Sequence, residues 1–145
     1  MCEEAVTIVQ SIQAKIINGK ESQDKRLNEQ ELKRRQHELK IYMEQYFKRT
    51  LGKSVDTTRI TIVEDMLVIR GEGFLTEPEK YIVMTPQGKD AIRASRMHVV
   101  EQHIIDNVPF FEKLLNAKAI HHTYEVEAHN DFWIHAIVFD RVLTL

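Results

Sequence analysis

Two stretches of this chain alternate apolar and polar residues with a period of two, and each carries its own reversal. In DTTRITIVEDMLVIRGEG, residues 56–73, Arg59, Thr61 and Val63 fall on one side of an extended backbone and Ile60 and Ile62 on the other. Successive side chains of a strand leave opposite faces, so this pattern predicts strands at 57–63 and 66–71 about a tight turn at Glu64-Asp65. AIHHTYEVEAHNDFWIHAIVF, residues 119–139, alternates in the same way. It predicts strands at 119–127 and 132–139, reversing at Ala128-His129-Asn130-Asp131. Two hairpins bring four antiparallel strands and restrict what the remaining segments can be.

Those segments have helical periodicity. Ala5, Ile8, Val9, Ile12, Ile16 and Ile17 recur at three, four and seven, which predicts an amphipathic helix over 3–17, stopped by Asn18-Gly19. From Lys20 to Lys40 both signs of charge crowd the chain, with Leu27, Leu32 and Leu39 the large apolar residues. Residues 22–50 therefore predict one long helix, solvated at first, packed at its C-terminal end and closed by Gly52. LTEPEK has Thr76 as N-cap, an early Pro78 and Glu79 three residues after the cap, a capping box that opens a short helix to about Met84. A longer helix over 87–116 buries Val99, Val100, His103, Ile104, Val108, Phe111, Leu114 and Leu115, with Pro109 expected to kink or split it.

The predicted order is α-α-β-β-α-α-β-β, an α+β fold with an antiparallel four-stranded sheet, helices mainly on one face and a long N-terminal helical extension. The division expected is 1–38, an extension suited to self-association as a homodimer, and 39–145, the α+β domain. Ile8, Val9, Ile12, Ile16, Leu32 and Leu39 are the self-association candidates, because their stripe needs a partner.

A formal charge of −2 gives no global pull toward nucleic acid or anionic lipid, and KRRQH at 33–37 reads as a wet helix face rather than a nucleic-acid patch. Two glutamates precede the first apolar residues and no apolar run approaches the ~20 residues that span a bilayer. The single Cys2 allows no intramolecular disulfide and, near the chain terminus, has no fixed base beside it. The expectation is a soluble cytoplasmic protein with no direct membrane insertion.

Four of the seven histidines, His121, His122, His129 and His135, lie in the second hairpin. Adjacent His121 and His122 leave opposite faces, so without a bulge they cannot share an ion. His98 and His103 are five apart on a helix, off the i,i+4 face, and no zinc spacing occurs. The reading is therefore of sheet and turn histidines, with no metal and no cofactor, able at most to make stability or partner binding sensitive to pH between about 5 and 8. No G-x-S-x-G elbow accompanies Ser95, His98 and Asp106. Arg59, Arg93 and Arg96 are the candidates for an anion or a carboxylate-bearing partner. Arg93 and Arg96 stand one helical turn apart. A structural salt bridge to Asp90 or Glu101 is the competing reading of that pair.

Four segments together resemble the MpsC-like family, named for a component of a bacterial Na⁺-translocating, membrane-potential-generating system. They are YFKRTLGKSVDTTRITI, DMLVIRGEGFLTEPEK with Leu75-Thr76 and Glu79 as L-T-x-x-E, GKDAIRASRMHVVEQ with Arg93 and Arg96, and HHTYEVEAHNDFWIHAIVF with Asp131 in its turn. The resemblance implies a bacterial protein that assists ion or inorganic-carbon transport, with membrane transporter subunits as partners, and it implies no catalytic residues. A non-enzymatic accessory is thus the first expectation. The alternatives are a small-ligand or anion-binding enzyme using Arg93, Arg96 and a histidine, and, last, a nucleic-acid-binding regulator acting through Lys33-Arg34-Arg35 and Lys48-Arg49.

Overall fold

The computed structural model describes residue 10 and residues 26–145. Within them the order is α1 (Glu29–Leu51), β1 (Thr57–Val63), β2 (Met66–Glu72), α2 (Glu77–Ile82), α3 (Pro86–Leu115), β3 (Ala119–Glu127) and β4 (Phe132–Phe139). Apart from Gln10, which is helical and exposed, the expected helix over 3–17, with Ile8, Val9, Ile12 and Ile16, lies outside the described residues.

The four strands form one antiparallel sheet in the order β1-β2-β4-β3, as the α+β reading required. Positive φ at Glu64 and Asp131 closes the two hairpins at the expected turns. Burial alternates residue by residue along β1 and β4. The inward face carries Ile60, Ile62, Leu67, Ile69, Val126, Trp133 and Ile137, against which Leu39, Met43, Phe47, Val100 and Phe111 of α1 and α3 pack in one core. Gly71 lies opposite Trp133 in the register, and a Cβ there would run into the indole. The missing side chain makes room for the largest residue of the core.

Three expectations change. The long helix starts at Glu29, not at residue 22, because Asn28 caps it: its Oδ1 accepts from Glu31 N at 2.9 Å and its Nδ2 donates to Glu31 Oε1 at 2.8 Å. The residue before the cap is used differently: Leu27 donates to Leu143 O and accepts from Leu145 N, tying the helix entry to the C-terminal segment. Pro109 does not split α3, which runs unbroken from Pro86 to Leu115. The carbonyl that a proline leaves unpaired is that of Ile105, on the solvent side of the helix where water can satisfy it. Finally, the division expected at 38/39 falls inside α1, and Gln36, on its N-terminal side, accepts from Ile62 N at 2.9 Å.

Candidate functional site

The histidines expected to be incidental instead hydrogen-bond in series. His135 on β4 and His122 on β3 share the inward face, since His122 is registered with Ile137 and Tyr124 with His135. His103 reaches them from α3. Tyr42 Oη donates to Asn107 Oδ1 at 2.7 Å, Asn107 Nδ2 meets His103 Nδ1 at 2.8 Å, His103 Nε2 meets His135 Nδ1 at 3.0 Å, and His135 Nε2 meets His122 Nδ1 at 3.0 Å. With the Asn107 amide so placed, each link donates in one direction: His103 donates from Nε2 to His135, and His135 donates from Nε2 to His122.

Burial disfavours the charged form of all three imidazoles. Burial drives the His103 pKa well below the ordinary value, with His135 and His122 adding repulsion. Burial, then His122, lowers His135 to about 3. Burial also lowers His122, aided by His121 and opposed by Glu112. Rings of Tyr46, Phe47, Phe111 and Trp133 surround His103 with centroids 5.7–6.0 Å away. The Asn107 amide stands between Tyr42 and the imidazoles and relays no proton between them. The chemical capacity of the series is to satisfy buried polar groups while fastening α1 and α3 to one register of the sheet. Among the described residues, no group of three or more His, Cys, Asp or Glu is arranged to hold a metal ion.

The three arginines do not converge. Arg59 stands exposed on the outward face of β1, across the sheet from the helices. Arg93 donates to Glu125 Oε1 from Nε at 2.9 Å and from Nη2 at 2.6 Å. Arg96 is buried, donates to Glu79 Oε2 at 3.0 Å, makes a second bond to Glu79 Oε1, and lies over the Phe74 ring at 5.6 Å. Both helical arginines therefore take carboxylate partners, but neither Asp90 nor Glu101. Arg93, Arg96 and a histidine are not assembled into one ligand site. Leu39 is fully buried in the chain's own core and Leu32 packs against that core, so Leu39 has no surface to offer a second copy. Of the basic runs, Lys33 lies 3.8 Å from Glu29 and Arg35 bonds Glu38 at 2.9 Å.

What does assemble is a frame around α2. Glu79 accepts from Thr76 N at 3.0 Å, from the Thr76 hydroxyl at 2.8 Å and from Arg96. Burial alone would raise the Glu79 pKa, but the Arg96 and Thr76 bonds outweigh it and the net shift is downward. Asp131 Oδ1 accepts from Phe74 N at 2.9 Å and Leu75 N at 3.0 Å, and Lys53 Nζ donates to Leu75 O at 2.8 Å. Leu75, Thr76, Glu79, Arg96 and Asp131, taken from three separate segments, thus meet in one place. The frame holds out an apolar tip: Tyr81 is 78% and Met84 76% exposed, with Ile82 at 41%, while Val83 between them is buried. Gly88 lets α3 start close under this tip, since a Cβ there would strike the Ile82 carbonyl. Sequence reading found the capping box and Arg96 but missed that Glu79 serves both. The signal available was a carboxylate already fixed by its cap, facing a helix with an arginine on its apolar side.

No helix among the described residues is long and apolar enough to cross a membrane. A family model described as Na⁺-translocating membrane potential-generating system (MpsC) matches residues 31–141. The uncharacterized protein YrhF of Bacillus subtilis (strain 168) is 26% identical over 106 residues, covering 72% of this chain and 87% of that protein. No solved structure matches the chain.

Proposed function

The chain belongs to the MpsC family, and from that premise we propose that it is a non-enzymatic accessory protein that binds a membrane ion-translocating system from the cytoplasmic side. The observation that carries this reading is the tip of Tyr81, Ile82 and Met84, solvent-exposed yet mounted on the Glu79–Arg96 frame. Large exposed apolar side chains on a rigid support suit recognition, because little conformational entropy is lost when they are covered. The charged groups that could have served catalysis are instead engaged within the fold, Arg93 by Glu125 and Arg96 by Glu79. In this role Arg96 positions the tip and does not itself touch the partner.

The test is recovery of partners from native cells. A tagged full-length chain, crosslinked in cells and purified from gently solubilised membranes, should bring down subunits of an ion-transporting complex. The double variant Tyr81→Ser/Met84→Ser should lose them while keeping the unfolding temperature of the parent. Equal recovery with the variant would remove the tip from the interaction. A membrane fraction without the protein would remove the accessory role itself.

A further inference from the structure

The outward face of the sheet is not covered by any described element, and no residue that points from it is buried. The register arranges it as a grid. Thr57, Glu72, Phe132 and Glu127 form one row; Arg59, Arg70, Ile134 and Glu125 the next; then Thr61, Val68, Ala136 and Thr123; and finally Val63, Met66, Val138 and His121. The two central columns supply Met66, Val68, Phe132, Ile134, Ala136 and Val138, a contiguous apolar strip. The flanks differ in sign. Arg59, Arg70 and Glu72 stand on the β1–β2 side, and Glu127 and the Arg93-paired Glu125 on β3.

We propose that this face is the contact between two copies of the chain, stacked sheet on sheet about a two-fold axis parallel to the strands. Such an axis maps β1 onto the partner's β3 and β2 onto its β4 while leaving the rows aligned. Arg59 then lies over Glu125 of the second copy, whose Oε1 is held by that copy's own Arg93 and whose Oε2 is the oxygen left to accept; Val68 lies over Ala136, and Met66 over Val138. An axis in the same plane but perpendicular to the strands would stack β1 on β1 and draw Arg59 toward its own symmetry mate. Charge pattern thus selects one axis. Arg59 suits this role, having no carboxylate partner among the described residues, whereas Arg70 pairs with Glu72 at 3.0 Å and covers Phe132.

Four strands ~4.8 Å apart and seven residues at ~3.3 Å each give a footprint of roughly 400–450 Å² per copy. Two such faces bury about 900 Å², the size of a weak, reversible interface. The second copy is favoured over an unrelated protein because the face is complementary to itself, in apolar strip and in charge. This contact is distinct from the N-terminal stripe and from the Tyr81 tip, so its failure would leave the proposed function untouched.

The experiment uses the full chain in sedimentation velocity over a concentration series. The parent should show a concentration-dependent monomer–dimer equilibrium, and Ala136→Glu, which places a charge in the apolar strip, should weaken association at least about tenfold without lowering the unfolding temperature. A second measurement does not depend on that variant folding. In a Cys2→Ser background, Thr61→Cys and Thr123→Cys chains are mixed and treated with a short bis-maleimide, since facing sheets stand ~10 Å apart, beyond direct disulfide reach. The mixed 61–123 product should dominate, because two copies of position 61 lie ~14 Å apart laterally on opposite flanks. A monomer at every concentration, a dimer that survives Ala136→Glu with native stability, or preferential 61–61 coupling would each overturn the proposal. Those outcomes would leave the face to a different occupant.

Discussion

Acidification should destabilise this protein well above the range in which carboxylates titrate, and the histidine chain sets the amount. His135 has its pKa lowered to about 3 from an ordinary value of 6.5, and His103, fully buried, is driven well down in the same direction. For a group whose folded pKa is depressed below its unfolded one, stability is complete above the unfolded value. It is lost as pH falls, because only the unfolded chain gains the proton. Between pH 7.5 and 5.0 each histidine that stays neutral in the fold costs about 2 kcal/mol. His103 and His135 together remove about 4 kcal/mol, a large share of the ~5–15 kcal/mol typical of a domain. Urea denaturation at half-unit pH steps measures this directly. His135→Leu sharpens the test. It should be less stable at pH 8, where His103 loses a hydrogen-bond partner, yet its stability should fall less steeply with acid, by about one proton. Stability that is flat from pH 7.5 to 5.0, or a slope unchanged in His135→Leu, would refute the buried neutral chain.

Trp133→Ala should cost about 3–5 kcal/mol in urea denaturation, since the indole is 3% exposed against Phe47, and a negligible loss would mean its site collapses or is wet. Arg96→Ala strands the Glu79 carboxylate, 16% exposed, and should cost about 3 kcal/mol, with Glu79→Gln/Arg96→Met recovering part of it. Tyr42→Phe removes the bond to Asn107 and should cost about 1 kcal/mol without changing the pH slope, because the three imidazoles keep their own links.

The hairpins were legible because their signal is local: a period of two at 57–63, at 132–139 and along 121–127 past the register shift between Ala119 and His121, broken by residues suited to the turns at Glu64 and Asp131. The start of α1 did carry a local signal, Asn28 with Glu31 three residues on, the cap pattern that opens a helix. What holds Leu27 extended is a bond to Leu143, 116 positions away. The histidine chain needs strand register and the depth of α3, neither of which spacing supplies. His122 and His135 meet only because β3 and β4 pair with Tyr124 opposite His135. Parity alone puts His135 on the same face as Trp133 and Ile137, and Asn107 stands i,i+4 from His103 on the helix whose buried stripe includes His103. For Arg96 the spacing identified a functionally suggestive residue but pointed to the nearest carboxylates in sequence. The fold brings up Glu79, 17 residues away, because α2 turns back under α3.

The most direct measurement is photo-crosslinking in native cells with a benzophenone side chain placed at position 81, at position 123 on the outward sheet face, and at exposed position 37 on α1. The expected result is an adduct at position 81 with an integral subunit of an ion-translocating complex, a self-adduct at 123, and neither at 37. Membrane-subunit adducts of equal yield at all three positions, or none at 81, would contradict docking through the Tyr81 tip.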